Sequence, residues 1–201
     1  MRRNELPEIN AGSMADIAFL LLIFFLVTTT MEVDSGILRK IPEKQAISKP
    51  IVIKERNILE VIINKKNELF VDGETIEQKN LKQIAIDFID NGGGTDKNGN
   101  ACNWCNGKRL PTSSAHPSKA FISIKTDRAT NYETYILVLD ELNLAYAALR
   151  NKFAIEHYKQ NYTSLLNDFK NSNDADKKLK DKIDMVRNKY PLLLSDAEIK
   201  D

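Results

Sequence analysis

Three places in this 201-residue chain carry residue types that could do chemistry. The first is Asp16, an acid at the entrance of an unbroken apolar run over residues 17–27. Burying an ionised aspartate at the centre of a membrane helix costs about 2.5–3.5 kcal/mol on insertion scales, so a plain anchor gains nothing by carrying one. One charge crossing about 150 mV is worth roughly 3.5 kcal/mol, a similar amount. A carboxyl that takes up and releases a proton against a protein partner or a wet cavity is therefore energetically reasonable. The bland alternative is an acid snorkelling at the membrane edge. The second place is Cys102-x-x-Cys105, with His116 nearby in sequence. A structural zinc needs four ligands, and there is no second cysteine pair. A thioredoxin-like motif would start a helix after a strand, which this Gly- and Asn-rich context does not provide. A local disulfide pinning the loop is the expectation, with metal binding and reduced cysteines as the alternatives. The third place is Asp127-Arg128 ahead of Tyr132-Glu133, where turn and helix-start chemistry explains the acid. No nucleophile and base converge anywhere, and no phosphate-cradling glycine loop is present, so neither an enzyme nor a cofactor or metal site is expected. His157 reads as a surface residue, and Asn161-Tyr162-Thr163 as a chance glycosylation triplet.

These residues need elements to position them. A bilayer core takes about 20 mostly apolar residues as helix. Residues 9–31 would reach about 34 Å, enough to span with some tilt. Residues 17–27 alone are too short, so the span must include Asp16 and the threonines Thr28, Thr29 and Thr30. Arg2 and Arg3 could open a cleaved signal peptide, but no small-x-small site follows Val27, and an uncleaved signal-anchor is favoured. The same two arginines put the N-terminus in the cytoplasm and the bulk of the chain outside; Arg39 and Lys40 count against that orientation. The net charge of +1 and the lack of a basic stripe interleaved with aromatics give no support for nucleic-acid binding.

The expected organisation is α+β. Residues 1–8 form a cytoplasmic tip, 9–31 a single transmembrane helix, and 32–56, with Pro42 and Pro50, an extended linker. An exported domain over 57–150 holds an antiparallel or mixed sheet packed by two helices. Its strands are expected at 58–63, 68–71 and 120–125, with turns at NKKN and DGET. Leu81, Ile84, Ala85, Phe88 and Ile89 make an amphipathic helix that stops at Asn91-Gly92. Residues 91–119 are an irregular insertion. A second helix starts at Tyr132, carries Ile136, Leu139, Leu142, Ala145, Tyr146 and Leu149, and could run on towards Leu166. Residues 151–201 are a helical C-terminal extension in which Leu179, Ile183 and Val186 form a thin stripe and the lysines around them a solvated face.

The span SMADIAFLLLIFFLVTTT, the stretch LFVDGETI, and ISIKTDRATNYETYILVLDEL with its D-R-x-x-x-Y-E-x-x-x-x-V-x-D-x-L pattern together resemble the ExbD/TolR family over about residues 5–145. The resemblance implies an inner-membrane, single-pass subunit of a proton-driven motor with a periplasmic domain. Asp16 would fall on the family's proton-carrying intramembrane aspartate, and Thr28 and Thr29 on secondary polar positions of the span. Asp127, Tyr132 and Asp140 would match positions that support the exported fold. The implied partners are an ExbB/TolQ-like ring of multi-span subunits, a second copy of the chain, and a TonB-like or TolA-like energy transducer. An ExbD-like role in TonB-dependent outer-membrane transport is the main expectation. A TolR-like role in envelope integrity is the near alternative, and a signal-anchored scaffold without proton chemistry the distant one. A flagellar stator would need a peptidoglycan-binding domain, for which no motif is present. Two features depart from the family pattern: the cysteine-bearing loop is extra, and NLAYAALRNKFAIEHYK continues as helix where a glycine turn and closing strand belong. That strand is then either missing or displaced to near residues 190–195.

Overall fold

The computed structural model describes residues 11–28, 53–173 and 175–198. They belong to two compact units, residues 1–50 and 51–201.

The first unit contributes one helix, α1 (Ala11–Thr28). Its 18 residues reach about 27 Å, short of the roughly 30 Å of a bilayer core. Among the described residues no helix is long and apolar enough to cross a membrane. The tip 1–8, the outer turns of the expected span including Thr29, and positions 32–52 of the expected linker lie outside the described residues.

The second unit is α+β. Its mixed five-stranded sheet is built from β1 (Ile58–Ile63), β2 (Leu69–Val71), β3 (Glu74–Ile76), β4 (Phe121–Thr126) and β5 (Leu194–Glu198) in the order β3-β2-β1-β4-β5. The hairpin β1-β2-β3 is antiparallel, whereas β4 runs parallel to both β1 and β5. Parallel neighbours require crossovers. The first uses α2 (Gln78–Ile89) and the insertion; the second uses α3 (Tyr132–Tyr158), α4 (Tyr162–Asn171) and α5 (Lys177–Lys189).

The strands form where β-branched residues alternate. Leu59, Val61 and Ile63 of β1 are buried while Ile58, Glu60 and Ile62 are half-exposed. Register carries that face across the sheet, pairing Val61 with Val71 and Ile124, and Leu59 with Ile122. The buried face joins Leu81, Ala85, Phe88 and Ile89 of α2 and Val138, Leu142, Ala145 and Leu149 of α3 in one core. At about 1.5–3 kcal/mol per fully buried large apolar side chain, this core dominates the unit's stability.

Three sequence expectations change here. The DGET segment is a turn only in part, since Glu74, Thr75 and Ile76 pair with β2 as an edge strand. The long helix stops at Tyr158, where Lys159 takes a left-handed C-cap (φ 54°), and Leu166 belongs to the separate α4. Beyond residue 150 the chain is not solely helical. It returns as β5 beside β4, beginning inside the 190–195 window and running on to Glu198, with Leu194 opposite Ile122 and the Ile122 N–H donating to the Leu193 carbonyl at 2.9 Å.

Candidate functional site

Asp16 is the one charged residue of α1, and its side chain is exposed. Met14, Ile17, Phe19, Leu20, Leu21, Leu22, Ile23, Phe24 and Phe25 are exposed as well. At 100° per residue Asp16, Leu20 and Ile23 share one side of the helix. An apolar surface running all round a helix needs cover from lipid or protein. Thr28 is described only as the last residue of α1.

The D-R-x-x-x-Y segment at the end of β4 is occupied by turn chemistry. The Asp127 carboxylate accepts from the Ala129 N–H at 2.9 Å, and the Asp127 N–H donates to the Ile63 carbonyl at 3.2 Å. The helix cap is Asn131, whose side chain accepts from the Glu133 N–H at 3.1 Å. Asp127 therefore holds the turn, and the capping expected of it falls to Asn131. Tyr132 and Asp140 are exposed.

The insertion is ordered by side chains that replace regular structure. Asn91, almost fully buried, donates to the Ser114 and Leu110 carbonyls at 2.7 and 3.0 Å and accepts from the Leu110 N–H at 2.8 Å. Gly92 has φ +63°, and a Cβ there would stand 2.7 Å from the Cys105 Cβ. Cys102 and Cys105 are joined by a disulfide, with Cα atoms 5.5 Å apart, and both are buried. Among the described residues no group of acids, histidines and cysteines could hold a metal ion. Arg56, placed by the sequence at the end of the linker, reaches into the insertion and donates to the Ser113 and Gly93 carbonyls.

The disulfide brackets Trp104, and Trp104 leads to α5. The Lys189 Nζ lies 3.6 Å from the centre of the Trp104 ring, a cation–π contact. The His116 ring meets Trp104 edge to face at 5.3 Å. His116 is 4% exposed, and its Nδ1 accepts from the Ser118 N–H at 3.1 Å. Burial holds its pKa below the usual histidine value, with Asp96 pulling weakly the other way. Next to this cluster a buried Tyr190 donates its hydroxyl to Asp90 Oδ1 at 2.7 Å, and Arg150 holds the Tyr190 carbonyl through Nε and Nη2. The structure thus brings Cys102, Cys105 and His116 into one neighbourhood. Trp104, Asp90, Lys189 and Tyr190 complete it and were not singled out in the sequence. The lone tryptophan between two cysteines was the signal available for the first of them; the others depend on long-range contacts.

The chain is therefore a two-part protein: an apolar helix bearing one acid, and an α+β domain whose strand-turn-helix core carries the D-R-x-x-x-Y pattern. A family model described as biopolymer transport protein ExbD/TolR matches residues 2–156. The chain belongs to the ExbD/TolR family. No curated protein matches it. Because the family match ends at residue 156, α4, α5 and β5 lie beyond it.

Proposed function

We propose that this chain is the acid-bearing subunit of a proton-driven motor in a bacterial inner membrane, acting in the ExbD-like sense to energise TonB-dependent outer-membrane transport. The observation that carries the reading is a single acid, Asp16, on a helix whose described side chains are otherwise apolar or small and exposed, in a chain of the ExbD/TolR family. Such a helix cannot shelter its own carboxyl. A ring of multi-span ExbB/TolQ-like subunits would cover it, together with a second copy of the chain, and would give Asp16 a path for protons.

In this reading residues 9–31 span the membrane, with Thr28 and Thr29 as polar contacts near the far end. Residues 1–8 stay in the cytoplasm, and residues 32–56 lead to the periplasmic domain. Protonation and release at Asp16 alternately neutralise and charge the helix. The periplasmic domain passes the resulting motion to a TonB-like transducer.

The test is Asp16→Asn, which keeps the size of the side chain and removes its proton chemistry. Complex assembly is expected to survive while proton-coupled transport falls to background. Transport retained at wild-type rate in an assembled Asp16→Asn complex would overturn the proposal.

A further inference from the structure

The cysteine-bearing insertion and α5 line an open cleft of about 410 Å³. Its lining includes Trp104 and His116 from the insertion and Asp181, Asp184, Asn188 and Lys189 from α5. Pockets that hold small ligands begin at about this size.

Two buried donors on this wall have no partner: Trp104 Nε1 and His116 Nε2. The first is always an N–H. The second is one in the neutral ring, because Nδ1 accepts from the Ser118 N–H and the ring proton must then sit on Nε2. Two such donors in contacting rings are groups that a ligand acceptor would satisfy. The Lys189 ammonium over Trp104 makes the same wall attractive to a negative oxygen.

The rest of the α5 lining has the complementary chemistry. Asp181, Asp184 and Asn188 stand at i, i+3 and i+7 on α5 and so share a face. None of these three side chains makes a hydrogen bond or ion pair with the described residues, whereas the Asp96 carboxylate, also in the lining, is already engaged by the Asn98 and Asn100 N–H groups.

From this arrangement we infer that the cleft binds a small amino-carboxylate, between an amino acid and a dipeptide in size. Its carboxylate accepts from His116 and Trp104, and its ammonium group meets Asp181 and Asp184. A ligand carrying only one of the two charges leaves one set of groups unsatisfied. The inference goes beyond the motor reading and does not rest on it.

Trp104 is the sole tryptophan of the chain and reports on its own site. Full-length protein in detergent is titrated with alanyl-alanine, with its N-acetyl form and with its C-terminal amide, while tryptophan emission is followed. The free dipeptide is expected to change the emission saturably with a midpoint near ~1 mM, in keeping with a ligand of so few heavy atoms. Each blocked form is expected to bind at least about tenfold more weakly, a loss of ~1.4 kcal/mol. In Asp181→Asn/Asp184→Asn protein the free and N-acetylated dipeptides should bind alike, because the partner of the ammonium is gone. Equal midpoints for all three ligands on the wild type would overturn the inference. So would no saturation up to roughly ten times the expected midpoint, or an undiminished preference for the free amine in the double variant.

Discussion

His116 shows how one residue ties stability to pH. Its pKa is lowered in the folded protein, chiefly by burial. Below pH about 6.5 the unfolded chain takes up a proton at this ring that the folded chain refuses until the pH is lower still. The unfolded state then binds more protons, so stability falls as the pH drops through that window, at no more than about 1.4 kcal/mol per pH unit. His116→Asn, which can still accept from the Ser118 N–H, is expected to flatten this slope in denaturant melts between pH 7.5 and 5.5. An unchanged slope would mean that other groups set it. Tyr190 makes the second residue-scale case. Its hydroxyl donates to Asp90 within the core, and Tyr190→Phe leaves that buried carboxyl with the Asn106 N–H at 3.2 Å and Lys152 at 3.6 Å. A loss of about 1.5–3 kcal/mol follows for a bond to a charged partner. It should read as a lower urea midpoint with an unchanged m value.

At the scale of elements, the insertion depends on the chain leaving α2 through Gly92 with positive φ while Cys105 packs against its Cα. Gly92→Ala incurs the left-handed penalty of about 1–2 kcal/mol and also drives a methyl group into Cys105. The variant should melt lower than wild type and show altered Trp104 emission even with the disulfide intact. The helices and central strands were legible in the sequence because period and burial agree there. Leu81, Ala85, Phe88 and Ile89 form a stripe and are buried, and Val61 and Ile63 alternate with a half-exposed neighbour. β3 was not legible, since Glu74-Thr75-Ile76 has one apolar residue and forms only because β2 offers an edge. β5 was legible in approximate position alone. Leu194-Ser195-Asp196-Ala197-Glu198 lacks the β-branched signature of a strand, and its ladder is set by β4. The cluster around Trp104 was unreadable for a related reason, because Lys189 looks solvated in sequence until α5 is folded onto the insertion.

At the scale of the larger unit, residues 51–201, the part covered by the family match and the residues beyond it share one core. The family match stops at residue 156, yet the sheet is completed by β5, which lies some forty residues later. Leu165, Ile183, Val186 and Tyr190, all beyond the match, are almost fully buried in the same core as β1 and β4. Burial at about 1.5–3 kcal/mol each makes these four side chains worth roughly 6–12 kcal/mol, comparable with the 5–15 kcal/mol that typically holds a domain together. Residues 159–201 therefore cannot behave as a detachable appendage. A chain ending at Lys159 would expose the edge of β4 and uncover Tyr146, Leu149 and Phe153, creating both an apolar patch and an open strand edge. The expected outcome is loss of the cooperative melting transition and aggregation at concentrations where the full chain stays dispersed. A truncated protein that melted within a few degrees of wild type would show that the ExbD/TolR-like core closes on its own and that the late strand is an ornament.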